Sequence, residues 1–365
     1  MGFTCGLVGL PNAGKSTLFG ALTRTKAQAS NYAFTTIEPN SGIVPVPDKR
    51  LEIINSYIKT QKIVPTSMEF VDIAGLIKGA SKGEGLGNKF LGHIREVDAI
   101  VHVVRCFEDG NVPHVSNTID PASDIDTINT ELMIADMESL ERRKTKIEKL
   151  AKSGDKEARS QMEVIKKLIH IINEGSPVRA VTGLSDEAQK FVQSLTLLSA
   201  KPVLYICNMM DPGDTESDLV LKVKEIAQQD GSAVVALAGK IESEIMEMDN
   251  PEEQQMFMQE MGLTKTGLDR MIATGYGLLE LSTYFTAGEK ENRAWTIPKN
   301  SKAPQAAGAI HSDFEKGFIL AEVYCLEDLE KYKTEAAIKE AGKLRIEGKE
   351  YIVQDGDIIH FRFNV

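Results

Sequence analysis

The chain has 365 residues, 42% apolar and 26% charged, a composition that suits an ordinary folded protein of two or three domains and excludes wholesale disorder or a low-complexity polymer. Lys and Arg number 42 against 53 Asp and Glu, a formal net charge of -11, so a polyanionic partner must be met by a local basic patch and not by the mean field. Cys5, Cys106, Cys207 and Cys325 stand far apart with no C-x-x-C pair, which excludes a zinc knuckle or disulfide framework and predicts buried thiols in a reducing compartment.

No apolar run approaches the length of a membrane span, and the N-terminus passes directly into a strand-like segment. The expected compartment is the cytoplasm, with no membrane partner. Strand-like runs at Phe3 to Val8, Ser67 to Ile73 and Ala99 to Arg105 alternate with helical patterns, as in a parallel α/β sheet. Behind the first run stands Gly9-Leu10-Pro11-Asn12-Ala13-Gly14-Lys15-Ser16-Thr17, a match to G-x-x-x-x-G-K-[ST]. Glycines there let several backbone N–H groups converge on an anion, and the helix that follows adds the positive end of its dipole. Asn12, Ala13, Gly14, Lys15, Ser16 and Thr17 are therefore candidate nucleotide-binding residues, with Lys15 reaching the β and γ phosphates and Ser16 offering its hydroxyl to Mg²⁺.

Asn31 to Ile37 reads as a loop from which Thr36, with Thr35 as the alternative, would ligate Mg²⁺. Asp72 ends the second apolar run and forms D-x-x-G with Gly75, the arrangement that supplies a carboxylate for the metal and a backbone N–H for the γ phosphate. The glycine-rich stretch 79–87 reads either as a loop that orders around a third phosphate or as a plain surface loop.

From Ile128 onward, Met133, Met137, Leu140, Ile147 and Ala151 follow heptad spacing with Lys144 as the one polar member. Met162, Ile165, Ile169 and Ile172 mark a return helix beyond the turn Ser153-Gly154-Asp155, which predicts an antiparallel hairpin inserted between strands of the sheet. Residues 141–170 hold ten Lys and Arg against five acids, a local net of +5. That excess reads as a solvated helix face or as a footprint for RNA phosphates.

The sheet resumes at Val203 to Asn208 and Ala233 to Leu237. The first of these ends in Asn208-Met209-Met210-Asp211, where a GTPase carries N-K-x-D, and the second in Ala238-Gly239-Lys240. Asn208, Met209, Asp211, Ala238, Gly239 and Lys240 are the base-side candidates. Met209 in place of the lysine argues for ATP over GTP, whereas the Asp211 carboxylate, a partner for guanine, argues the reverse. Met246, Met248, Met256, Met258 and Met261 lie in an acidic stretch that reads as helix packing, with a flexible partner-binding face as the alternative. The tail shows strand-like Tyr284 to Thr286, Arg293 to Ile297, Ile319 to Val323, Tyr351 to Val353 and Ile358 to Phe363 around a helical Ala303 to Phe314, a small α+β module of β-grasp type.

The strings Gly9 to Thr17, Phe70 to Asn88, Thr283 to Gly288, Arg293 to Pro298 and the closing Phe363-Asn364-Val365 resemble the TRAFAC-class GTPases of the Obg branch. Within that branch the chain is similar to the YchF or Obg-like ATPase subfamily, bacterial type, over nearly its whole length. The resemblance implies an α/β fold: a P-loop G domain with a mostly parallel sheet in two parts, 1–130 and 201–280, an inserted antiparallel coiled-coil hairpin at 131–200, and a C-terminal TGS β-grasp domain at 281–365. It also implies a cytoplasmic ATPase that associates with ribosomes, and together with the metal and γ-phosphate candidates above the leading reading is an Mg²⁺-dependent ATPase, preferring ATP with GTP weaker, that acts as a conformational switch. The implied partners are the ribosome, its 50S subunit and rRNA or tRNA. Asp211 departs from the glutamate usual in the family.

Ras-type enzymes orient water with a Gln after D-x-x-G, and Leu76 stands there, as in the wider Obg-like group. The catalytic group must then come from elsewhere. His114 matches a family histidine implicated in hydrolysis and reads otherwise as an ordinary loop histidine. Asn12 resembles an asparagine that helps bind K⁺ in related enzymes and reads otherwise as a turn residue. Two alternatives stay open: a GTPase with a degenerate base motif, and a ribosome- or RNA-binding adaptor whose nucleotide is structural.

Overall fold

A computed structural model describes residues 3–28, 41–73, 86–110, 112 and 118–364. In chain order the elements are β1 (Phe3–Val8), α1 (Lys15–Gln28), β2 (Ser41–Pro45), α2 (Lys49–Tyr57), β3 (Ile63–Val64), β4 (Ser67–Asp72), α3 (Leu86–Glu96) and β5 (Ala99–Arg105). Then come α4 (Pro121–Lys152), α5 (Lys156–Asn173), α6 (Asp186–Ser194), β6 (Val203–Asn208), α7 (Asp218–Asp230), β7 (Ala233–Leu237), α8 (Gly239–Glu247), α9 (Pro251–Glu260) and α10 (Gly267–Leu278). The tail adds β8 (Leu281–Thr286), β9 (Asn292–Pro298), α11 (Ala303–Ile310), α12 (Ser312–Lys316), β10 (Phe318–Tyr324), α13 (Leu326–Tyr332), α14 (Glu335–Glu340), β11 (Arg345–Glu347) and β12 (Ile358–Phe363).

Two compact units result. The larger comprises Phe3–Val44 and Glu69–Gly275. Its six-stranded sheet runs β2-β4-β1-β5-β6-β7, with β1, β5, β6 and β7 paired in parallel. β5 and β6 are buried along their whole length, which explains their nearly continuous apolar sequence. The parallel order matters for the site, because it brings the loops that follow β1, β5, β6 and β7 side by side along one edge of the sheet.

The predicted hairpin is present as α4 and α5. α4 starts at Pro121, capped by the Asp120 carboxylate, ten residues ahead of the expected boundary, because its first turns serve the sheet. Ile125, Ile128 and Leu132 pack with Val104, Tyr205 and Val223, whereas Met133, Leu140 and Ile147 pack with Met162, Ile165 and Leu168 of α5. One helix of about 48 Å, at the usual rise per residue, thus belongs to two cores. Lys144 stays half-buried and donates to Glu141 at 3.1 Å.

At the foot of the hairpin a polar network is sealed from water. Arg179, in a short 3-10 turn, donates through Nη2 to Asp230 Oδ2 at 2.7 Å, to Asn129 Oδ1 at 2.9 Å and to the Tyr205 hydroxyl at 2.9 Å. The Tyr205 hydroxyl donates in turn to Asp230 Oδ2 at 2.9 Å, so α4, β6 and α7 are tied by one buried ion pair. His102 on β5 stacks obliquely against Tyr205, its ring centroid 5.6 Å away, and burial lowers its pKa to about 3, with Arg179 adding to the effect.

The smaller unit holds Pro45–Met68 and the chain from Tyr276 onward. Its mixed sheet runs β11-β10-β12-β8-β9-β3, with helices α11 and α12 packed through Ala303, Ala306, Ala307 and Phe314. Residues 45–68, expected in the first part of the G domain, join this unit instead. β3 pairs in parallel with β9, and Leu51 and Ile54 of α2 pack against Phe285, Ala294 and Ile358. The expected strand at Tyr351 to Val353 is no strand: Ile352 makes a single bridge to Lys302, and Asp357 gathers the Tyr351 hydroxyl at 2.7 Å and the Gln354 N–H at 2.9 Å into a turn. The helix expected over Ala303 to Phe314 breaks at His311, whose backbone is extended and whose ring accepts the Asp313 N–H at 3.2 Å. Cys5, Cys106 and Cys207 are buried as expected, but Cys325 is half-buried. Among the described residues no helix is long and apolar enough to cross a membrane.

Candidate nucleotide site

β1 hands over to α1 through the glycine-rich turn, and α1 begins at Lys15 with no acid in its first turn, leaving the free N–H groups and dipole end unopposed. Asn12 adopts a left-handed backbone, φ 65°, that few non-glycine residues take up. Gly14 has φ 93°, and a Cβ there would collide with the Asn208 side-chain amide.

That amide is the joint of the site. Asn208 Nδ2 donates to the Ala13 carbonyl at 2.9 Å, and its Oδ1 accepts the Gly239 N–H at 2.9 Å. Asn208 is 5% exposed, so both bonds are made away from water and hold the turns after β1 and β7 in fixed relation. A Cβ on Gly239 would stand 2.9 Å from Asn208 Oδ1, which is why the position suits glycine.

One cavity of about 690 Å³ opens along this edge. Gly9 to Asn12 and Gly14 to Thr17 line it, together with Asn208, Met209, Met210, Lys240, Phe107, Asp109 and Val112. Its size suits a nucleotide-sized ligand. Ala13, Ala238 and Gly239 are buried behind the lining and shape it through their backbone. Asp211 is exposed and does not line the cavity; its Oδ1 accepts the N–H of Gly213 at 2.7 Å in its own turn. Lys15 and Asp72, expected on phosphate and metal respectively, form an ion pair with each other, with side chains 12% and 23% exposed. Thr36, Gly75 and His114 lie outside the described residues.

The oxygen donors present are of the kind a hard divalent cation takes. Ser16 is an exposed hydroxyl on the cavity wall and Asp72 a half-buried carboxylate at the end of β4. Among the described residues no group of three or more His, Cys, Asp or Glu is placed to hold a metal ion. Phe107, Asp109, Val112 and Met210 were not anticipated from motif matching. The signal for the first three was positional, since they follow β5, the strand between β1 and β6.

A family model, YchF-GTPase_C, described as a protein of unknown function, matches residues 281–364, and a 50S ribosome-binding GTPase model matches residues 4–136. The chain is 54% identical over 365 residues to the Haemophilus influenzae protein named ribosome-binding ATPase YchF, with 100% of each chain covered. It is 54% identical over 370 residues to the Bacillus subtilis protein of the same name, again with 100% of each covered. The solved structure of the Schizosaccharomyces pombe YchF GTPase matches with a TM-score of 0.89 and 38% identity, over 99% of this chain and 97% of that one. With such identity along all or nearly all of both partners in each comparison, this chain belongs to the YchF family.

Proposed function

We propose that the chain is an Mg²⁺-dependent nucleoside triphosphatase that takes ATP in preference to GTP and acts as a nucleotide-driven switch on the ribosome. The carrying observation is that one cavity joins the phosphate-type turn Gly9 to Thr17 to the base-side residues Asn208, Met209 and Lys240. The relatives from H. influenzae and B. subtilis are named ribosome-binding ATPases, while the solved S. pombe relative is named a GTPase. Two features favour ATP. Met209 stands where guanine recognition uses lysine, and Asp211 spends its carboxylate on Gly213. With Asp211 turned to Gly213 outside the cavity lining, a guanine would lack that carboxylate for its N1–H and amino group, and leaving those unpaired in a buried site costs about 1–3 kcal/mol.

In this reading Lys15 leaves Asp72 for the β and γ phosphates, and the N–H groups at the start of α1 hold the remaining oxygens. Ser16, Asp72 and Thr36 would hold the Mg²⁺, which when bound neutralises charge that builds on the phosphates. Leu76 offers no group to orient water, so His114 is assigned that task, with the Gly75 N–H on the γ phosphate. Asn12 is assigned to a K⁺ ion supplying further positive charge. The basic stretch of the hairpin and the C-terminal unit, taken as a TGS module, are the parts turned to rRNA or tRNA on the 50S subunit. The cytoplasm is the proposed location.

The test is equilibrium binding of ATP and GTP with Mg²⁺, followed by turnover with and without ribosomes and 50S subunits. ATP should bind more tightly, turnover should rise with the particle, and Lys15→Ala should weaken ATP by at least about a hundredfold. A GTP preference of about tenfold or more would overturn the base assignment. Negligible turnover in every condition would favour an adaptor with a structural nucleotide.

A further inference from the structure

Arg105 ends β5 with its side chain 1% exposed, and it is first among the large side chains withdrawn fully from water. A guanidinium so placed is tolerated only when its donors find acceptors. Its Nη1 donates to the Val112 carbonyl at 2.9 Å, its Nε to the Phe107 carbonyl at 3.2 Å and its Nη2 to the Asp109 carbonyl at 3.4 Å. The guanidinium carbon also lies 4.6 Å from the centroid of the Phe107 ring. All three acceptors belong to the stretch that leaves β5, and the same three residues, Phe107, Asp109 and Val112, line the cavity.

The topology says which end of a ligand this stretch meets. β5 lies between β1, which carries the phosphate-type turn, and β6, which carries Asn208 to Met210. The phosphate end is already served by backbone N–H groups and Lys15. The wall that Arg105 holds offers an aromatic ring, a valine and a carboxylate, with Met209 and Met210 beyond it. That chemistry suits the flat base and hydroxyl-bearing sugar of a nucleoside and is poorly suited to a phosphate chain.

We propose that Arg105 is a positioning residue for the nucleoside half of the ligand: it clamps the carbonyls of Phe107, Asp109 and Val112 so that these three residues form a fixed wall of the cavity. The inference rests on the reading of the cavity as a nucleoside triphosphate site. Lysine at this position keeps a charge but has no planar fork to engage carbonyls on separate residues.

The experiment compares ATP, GTP and inorganic tripolyphosphate, each with Mg²⁺, by calorimetry on the full chain and on R105K, F107A and the double variant. R105K should weaken both nucleotides by about tenfold while tripolyphosphate stays within about twofold, and turnover at saturating ATP should fall by less than about threefold. Because Arg105 acts through the wall, the loss in the double variant should fall short of the product of the two single losses. Where R105K does not fold, F107A leaves the Arg105 hydrogen bonds to backbone in place and must show the same selective loss. An R105K chain that binds ATP like the parent, or one that loses nucleotide and tripolyphosphate equally, overturns this inference alone. A parent chain that binds neither probe overturns the cavity reading and this inference with it.

Discussion

Two cation–carboxylate pairs in the larger unit are built to opposite purposes. Lys15–Asp72 sits on the open edge of the sheet, with side chains 12% and 23% exposed, whereas Arg179–Asp230 is 6% and 7% exposed. The first is a single bond between Lys15, which lines the cavity, and Asp72 at the end of β4. The second is a forked contact supported by Tyr205 and Asn129, with the Ser232 N–H on the other Asp230 oxygen at 3.1 Å. A pair in contact with water can be parted by an incoming anion and cation at little cost, since each ion is rehydrated or re-paired. A sealed pair cannot be parted without stranding a charge. The difference teaches where this molecule can respond to a ligand and where it must not.

The largest expected effect follows directly. Asp230→Asn leaves the Arg179 guanidinium buried without its counter-ion and should cost about 3–5 kcal/mol. Lys15→Ala should cost less than about 1 kcal/mol, because Asp72 can turn to water. Urea unfolding followed by circular dichroism reads both, and comparable losses in the two variants would break the contrast.

Taken per pH unit, the acid dependence of stability comes next in size. His102 is held neutral, its pKa lowered from 6.5 to about 3 by burial first and the Arg179 charge second. In the unfolded chain it takes up a proton below about pH 6.5, while the folded chain resists until about pH 3, so across that window the unfolded state binds more protons. Stability should therefore fall on acidification from pH 6.5 toward pH 3, and this residue should contribute about 1.4 kcal/mol per pH unit. Carboxylates add their own dependence, so the measurement is the difference in slope between the parent chain and His102→Asn. Parallel slopes would mean that the foot of the hairpin admits a proton and is less sealed than its geometry implies.

How far such contrasts were legible beforehand depends on whether their cause is local. The apolar runs of β1, β5, β6 and β7 and the Gly9 to Thr17 turn announce themselves, because a buried parallel strand and a phosphate-binding turn each impose a dense local pattern. The seam from Met133 to Ala151 does the same for the hairpin. Residues 45–68 did not, since β3 is only two residues long and finds its partner at Asn292 and Arg293. Asp230 and Arg179 look like ordinary surface residues in sequence, and only the meeting of α7 with the turn after the hairpin buries them. The Arg105 clamp was hidden for the same reason: its acceptors are carbonyls, which carry no residue type to recognise.

A third pair completes the gradation and yields the smallest effect. Lys144 and Glu141 are 38% and 49% exposed and one helical turn apart, a contact worth little in water. Yet Lys144 occupies the seam between Leu140 and Ile147, both buried against α5. Lys144→Leu gives up the weak pair and extends the apolar contact, for a net gain of about 0.5–1 kcal/mol. In a unit of this size that is a rise of about 1–4 °C in melting temperature, with nucleotide affinity unchanged. If the variant instead melted lower, the ammonium would have to be stabilised by more than its visible partner, and exposure alone would no longer rank the three pairs.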